Sequence, residues 1–109
     1  MAPVNVGRYE VLILVVVGGL GEGAYGASVR RAASTRLRRE QSVGAVYTTL
    51  QRLEDKGLVT SWLSDPEPVR GGRSKRLFRL TSSGIRALRD ARSADARLWT
   101  DMPAGIQTA

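Results

Sequence analysis

The segment 42–58, SVGAVYTTLQRLEDKGL, constrains this chain more than any other, because a helix start, a helix stop and two chemically different faces fall within one short stretch. Ser42 is a good N-cap, since its hydroxyl can accept a hydrogen bond from a first-turn N–H that has no partner in the helix. Gly57 suits the position just past the last turn, where a positive φ is common, and Glu54, Asp55 and Lys56 lead into it. Val43, Val46, Leu50 and Leu53 are spaced to gather on one stripe that faces a core. Gly44, Thr48, Gln51 and Arg52 lie on the other side, with Ala45, Tyr47 and Thr49 at the flanks. This second face has little bulk and several hydrogen-bonding groups, so it can approach a groove closely.

At 109 residues the chain can build one modest core, which disfavours an enzyme with separate substrate and cofactor domains. Seventeen Lys and Arg against ten Asp and Glu give a net charge of +7, which points to an anionic partner. Fifteen of the cations are arginines, whose planar fork suits phosphates and guanine edges, although a compositional bias alone could produce that ratio. Their positions in the chain must decide. The absence of Cys and His removes disulfides, thiol chemistry, zinc sites and imidazole catalysis, so no metal or cofactor is expected, and a reducing cytoplasm fits. Residues 11–20, VLILVVVGGL, are too short to span a membrane, which takes about twenty apolar residues, and read as a core helix. With Glu10 directly before that run and no convincing cleavage site after it, a secretory signal is disfavoured.

The rest of the chain divides at glycines and prolines. Residues 1–7 read as a loose arm, followed by a helix over 8–17 that Gly18, Gly19, Gly21 and Gly23 end. The spacing of those glycines resembles a phosphate loop only superficially, because no strand precedes them and no GKS or GKT follows. A second helix is expected over 24–37, with Val29, Ala32, Ala33 and Leu37 inward and Arg30 and Arg31 outward. Arg36, Arg38, Arg39, Glu40 and Gln41 connect it to the central helix. After Gly57 the period changes to that of a strand over 58–63, with Trp62 expected in the core. Asp65-Pro66-Glu67-Pro68 and Gly71-Gly72 predict a hairpin tip, and 75–80 the returning strand. Thr81 or Ser82 should cap a last helix that runs from Ser83 to Asp101 before Pro103, with a mobile tail over 104–109. Three helices and a long-tipped hairpin describe a winged helix-turn-helix: a mainly α fold with a small β-hairpin, over 1–81, followed by a C-terminal helix and tail over 82–109.

Once the elements are placed, two basic clusters flank the central helix. Arg30, Arg31, Arg36, Arg38 and Arg39 surround the end of the second helix, and Arg70, Arg73, Lys75, Arg76 and Arg79 occupy the hairpin. Either cluster alone could be a solvated face, but together they could deliver cations to phosphates on both sides of a major groove. Within the central helix Thr48, Gln51 and Arg52 are the candidates for reading base edges. Gly44 and Ala45 permit close approach. Ser42 and Tyr47 are candidates for phosphate contacts, against pure capping for Ser42 and a half-buried packing ring for Tyr47. Lys56 could pair with nearby carboxylates and Arg52 with Asp55.

Two motifs carry a family resemblance. Residues 44–59, GAVYTTLQRLEDKGLV, are similar to the G-x-[LIV]-Y-x-x-L-x-R-L-E-x-x-G-L-[IV] pattern of PadR-type transcriptional regulators. Residues 72–84, GRSKRLFRLTSSG, resemble that family's G-R-x-[RK]-[RK]-x-[YF]-x-L-T-x-x-G. The resemblance covers roughly residues 8–90. The chain departs from it at Gly23-Ala24-Tyr25-Gly26-Ala27, where members usually carry P-x-[HY]-G-Y, and at Leu77-Phe78, where they carry a wing aromatic pair. The resemblance implies a homodimer held by the C-terminal helix, with Ile85, Leu88, Leu98 and Trp99 as interface candidates. It also implies double-stranded DNA with an inverted repeat as partner, and usually repression. Some small members are released from DNA by flat aromatic ligands bound between the C-terminal helices. Trp99 could line such a site or serve as a plain dimer anchor, and the anchor is favoured because buried aromatics usually supply contact area.

The expectation is therefore a cytoplasmic, homodimeric, sequence-specific DNA-binding repressor whose wing residues Arg73, Lys75 and Arg76 hold the DNA backbone. The alternative is a winged-helix module whose basic faces bind an acidic protein. An enzyme is disfavoured, since scattered carboxylates without His, Cys or a nucleotide loop offer no convergent catalytic group.

Overall fold

A computed structural model describes residues 5–65 and 74–107. Helix α1 spans Arg8–Leu20, three residues beyond the expected stop at Val17. Gly18 and Gly19 continue the helix instead of ending it. At Gly18 the reason is packing, because a side chain there would come within 3.1 Å of Leu80. The stop falls at Gly21, where φ is 57°, and a short 3₁₀ turn follows over Gly21–Gly23.

Helix α2 spans Gly26–Leu37, starting two residues later than expected. Ala24 and Tyr25 are drawn away from helical geometry by strand pairing. The Phe78 N–H donates to the Ala24 carbonyl (2.8 Å), and Tyr25 forms an antiparallel bridge with Leu77. Ser28 secures the first turn by accepting from the Tyr25 N–H (2.9 Å) and donating to the Gly23 carbonyl. Arg38, at φ 53°, stops α2. The connector then folds back on itself. Gln41 is buried, its N–H donating to the Ser34 hydroxyl (2.9 Å) and its amide to the Arg39 carbonyl (2.8 Å).

Helix α3 spans Val43–Asp55, with the Ser42 hydroxyl accepting from the Ala45 N–H at 3.1 Å and Gly57 at φ 75° past its end. Strands β1 (Val59–Leu63) and β2 (Arg76–Leu80) pair antiparallel, with Val59 opposite Leu80 and Leu63 opposite Arg76. The Ser64 N–H donates to the Lys75 carbonyl (2.8 Å) and extends the pairing toward the tip. The predicted tip residues Pro66, Glu67, Pro68, Gly71 and Gly72 lie outside the described residues.

Helix α4 spans Ser82–Thr100 and is capped by Thr81, whose hydroxyl accepts from the Gly84 N–H (3.0 Å) and donates to the Gly57 carbonyl (2.7 Å). After Pro103 a single helical turn, α5 (Ala104–Gln107), lies within the expected tail. Its first bond runs from the Ile106 N–H to the Pro103 carbonyl (3.0 Å). Within the expected N-terminal arm, Asn5 and Val6 contact the folded body. The Asn5 carbonyl accepts from Lys56 Nζ (2.8 Å), and Val6 packs against the core.

The core lies where α1, α2, α3 and the hairpin meet, with Ile13, Leu14, Val29, Val46, Leu50, Leu53, Leu58 and Phe78 buried. Three residues read as inward are not. Val43 opens α3 over a surface hollow beside α2 and is 56% exposed, and Leu37, at the end of α2 where the chain turns, is also exposed. Trp62 is 37% exposed, because alternation along β1 sends it to the outer face of the hairpin opposite Leu77. Thr49 moves the other way. It is buried, and its hydroxyl donates to the Ala45 carbonyl (2.8 Å).

Candidate nucleic-acid interface

The face of α3 opposite the core is open. Ser42, Gly44, Ala45, Tyr47, Thr48, Gln51 and Arg52 are all exposed, and a side chain added at Gly44 would meet nothing within 4 Å. The helix thus brings together every candidate reader named from its sequence. Thr48 and Gln51 sit near the middle of the face with Gly44, whereas Tyr47 and Arg52 fall on opposite flanks by the 100° step of the helix. In the free protein the Gln51 amide donates to the Asp55 carboxylate (3.0 Å) one turn on. A base edge would compete for that amide.

Tyr47 is half-exposed and is held by α2. Its ring lies over Gly26, where an added Cβ would come within 2.9 Å of the ring edge and would overlap the hydroxyl. Gly26, read from sequence as a weakness in α2, is the residue whose missing side chain leaves room for the hydroxyl end of Tyr47 at the helix–helix junction. The hollow beside it is lined by Gly26, Ala27, Arg30, Val43, Val46 and Tyr47.

On the other flank, Lys56 turns away from this face. It is bound to Glu10 of α1 at 2.8 Å and to the Asn5 carbonyl. Burial pushes the Glu10 carboxyl up, but hydrogen bonds from Lys56 and the Gly7 N–H, with the charges of Lys56 and Arg52, outweigh it and hold the group below its ordinary value. Arg52 therefore lies within the field of Glu10, and the partner expected for it, Asp55, is taken by Gln51.

The first basic cluster surrounds α2 as expected. Arg30 pairs with Glu40 at 3.3 Å, Arg31 donates to the Tyr25 hydroxyl at 3.4 Å, and Arg36, Arg38 and Arg39 are exposed. The second cluster is divided by the pleat of the hairpin. Arg76 faces α3, donating to the Ser61 hydroxyl (2.9 Å), which in turn donates to Glu54. Arg79 lies on the opposite face, its guanidinium 5.2 Å from the Trp62 ring centroid. Lys75 Nζ sits 4.4 Å from the Tyr25 ring centroid. Arg70 and Arg73 lie outside the described residues.

Two features of this region were not legible in the sequence beyond the expectation that Lys56 could pair with a carboxylate. Tyr25 meets cations from both clusters, and the Glu10–Lys56 pair ties α1 to the end of α3. Both join residues far apart in the chain. A signal for Tyr25 was present only as its place in the turn before α2.

Of the residues expected at a dimer interface, Ile85, Leu98 and Trp99 are exposed, and Leu88 is half-buried against the core. Trp99 donates its indole N–H to Asp95 (3.2 Å), which lies 3.8 Å from Arg8. Among the described residues there is no group of side chains that could hold a metal ion, and no helix is long and apolar enough to cross a membrane.

Comparison with known proteins gives this geometry a family. Residues 13–90 match the model of the transcriptional regulator PadR-like family. A PadR-like transcription factor from Bacteroides fragilis superposes with a TM-score of 0.72 at 20% identity, covering 84% of each chain. A PadR family transcription regulator from Clostridium difficile R20291 is 29% identical with a TM-score of 0.63, covering 86% of this chain and 92% of that one. PadR of Bacillus subtilis in complex with operator DNA gives a TM-score of 0.64 at 22% identity, over 77% of this chain and 46% of that one. No curated protein sequence matches the chain. With the family model matching well over half of its length and the same winged-helix architecture in its structural neighbours, this chain belongs to the PadR-like family of transcriptional regulators.

Proposed function

We propose that the protein is a sequence-specific double-stranded DNA-binding repressor that acts as a homodimer, with α3 in the major groove and the hairpin on the DNA backbone. The observation that carries this reading is the open α3 face, with Gly44, Thr48 and Gln51 along its middle and cations of α2 and the hairpin meeting at Tyr25 beside its Tyr47 flank. Small residues permit close approach, Gln51 can pair with adenine, Arg52 can pair with guanine, and the Thr48 methyl can pack on thymine. Ser42 and Tyr47, at the edges, are suited to phosphates, as are Lys75, Arg76 and Arg73 of the hairpin. The Bacillus subtilis relative in complex with operator DNA supports the same use of this fold.

A homodimer is supported by α4, whose outer half carries Leu98 and Trp99 into solvent at 65% and 56% exposure. An apolar stripe of this kind is normally covered, and a second copy would bring two α3 helices to the two halves of an inverted repeat. Repression requires only that the occupied operator block a promoter. A flat aromatic effector seated against Trp99 between paired α4 helices would supply release.

The test is selection of bound duplexes from a random library at about 150 mM salt, where purely electrostatic binding is suppressed. Enrichment of an inverted repeat is the expected result. Recovery of no preferred sequence would overturn the reading and favour an acidic protein as the partner of the basic faces.

A further inference from the structure

Tyr25 lies at the junction of three parts of the molecule. Its backbone bridges Leu77 of β2 while the neighbouring Ala24 carbonyl accepts from Phe78, so the turn before α2 adds a short third strand to the hairpin. The side chain is thereby fixed at both its base and its tip. Arg31, one turn into α2, donates to the phenolic oxygen at 3.4 Å, and Lys75, entering β2, holds its ammonium 4.4 Å from the ring centroid.

We propose that Tyr25, Arg31 and Lys75 form a single phosphate site that joins α2 to the hairpin and grips one backbone phosphate of bound duplex DNA. The proposal rests on the DNA-binding reading above and assigns a role to Tyr25, which that reading leaves without one. Two cations from separate elements converge on one phenol and gather positive charge at one place. The electron-rich ring compensates in part. Arg31 takes part in none of the ion pairs formed between described residues. The phenolic oxygen accepts from Arg31, which leaves its own proton to donate outward. The Tyr25 O–H, the outer N–H groups of Arg31 and the Lys75 ammonium are all donors, as a phosphate oxygen set requires. The hydrogen bond from Arg31 and the charges of Lys75 and Arg31 also hold the phenol below its ordinary value, the mark of a local positive field. The position is right for a nucleic-acid backbone. Gly26, the next residue, is covered by Tyr47 of α3, so the site abuts the flank of the proposed reading face.

The test is the salt dependence of binding to a short labelled duplex, followed by fluorescence anisotropy, for the wild type, Tyr25→Phe, Arg31→Ala, Lys75→Ala and the double variant Arg31→Ala/Lys75→Ala. Tyr25→Phe keeps the ring and removes only the hydroxyl. It should weaken binding by roughly tenfold or more, as for a lost hydrogen bond to a charged group, and to the same extent on every sequence. Each cation variant should make the slope of log K against log salt shallower by about one unit. The double variant should lose about one unit as well, because both groups hold the same phosphate. A loss of about two units in the double variant, with Tyr25→Phe binding like the wild type, would show two independent cations and overturn the shared site. Failure of the wild type to bind duplex in a salt-sensitive way would instead remove the DNA-binding reading, and this site with it.

Discussion

At the scale of single residues, the contacts that fix this molecule are polar groups placed where the helices meet. The Glu10–Lys56 pair is the clearest, since one carboxylate collects the Lys56 ammonium and the Gly7 N–H while closing the start of α1 onto the end of α3. The Glu10 pKa is held below its ordinary 4.5, so the stabilisation it gives is complete above about that pH and is lost as the pH falls through the folded-state value. Glu10→Gln should therefore lower the thermal midpoint by a few degrees at neutral pH and flatten its decline on the acid side, as read by circular dichroism melts across pH. Parallel melting curves for the two proteins would refute this assignment. Neither partner was identifiable in the sequence beyond the expectation that Lys56 could find a carboxylate. Lys56 lies 2.8 Å from a residue at the far end of another helix, and nothing in local spacing encodes such a pair.

At the scale of elements, the two motifs that stood out in the sequence have separate physical reasons. In α3 the alternation of faces is the message, and Ser42, Gly57, Val46, Leu50 and Leu53 all behave as their spacing predicts. In the Leu80-Thr81-Ser82-Ser83-Gly84 stretch the message is a close approach. Thr81 caps α4 and bonds to Gly57, and Gly84 packs directly on the Leu58 carbonyl, where any side chain would overlap backbone. Gly84→Ala should cost about 2 kcal/mol, because the helix must shift off the strand, whereas Gly44→Ala should leave stability nearly unchanged. Chemical denaturation of both variants checks this, and equal stability at the two sites would contradict it. The elements misjudged from sequence share one cause. Gly18 remains helical and Ala24 leaves α2 because tertiary packing on Leu80 and pairing with Phe78 outweigh local preference. Val43, Leu37 and Trp62 are exposed because periodicity indicates which way a side chain points but not whether anything lies opposite.

At the scale of the whole molecule, one chain is extended beyond what its own core explains. The radius of gyration is 16.5 Å, against about 13 Å for a compact domain of this size, and residues 92–100 of α4 are all exposed. Leu98→Glu should shift the protomer–dimer equilibrium toward the protomer in sedimentation experiments and weaken operator binding by about tenfold or more, since the two half-sites would no longer be joined. An unchanged mass would remove α4 from the interface. The central claim is a division of labour across the molecule: the middle of α3 reads bases, and the cations around it hold phosphates. The most direct measurement is the ratio of affinities for the selected operator and a scrambled duplex, in the wild type, Gln51→Ala and Lys75→Ala. The account predicts that Gln51→Ala collapses this ratio by about tenfold while Lys75→Ala weakens both duplexes and leaves the ratio intact. Equal losses on both duplexes from both variants would contradict it.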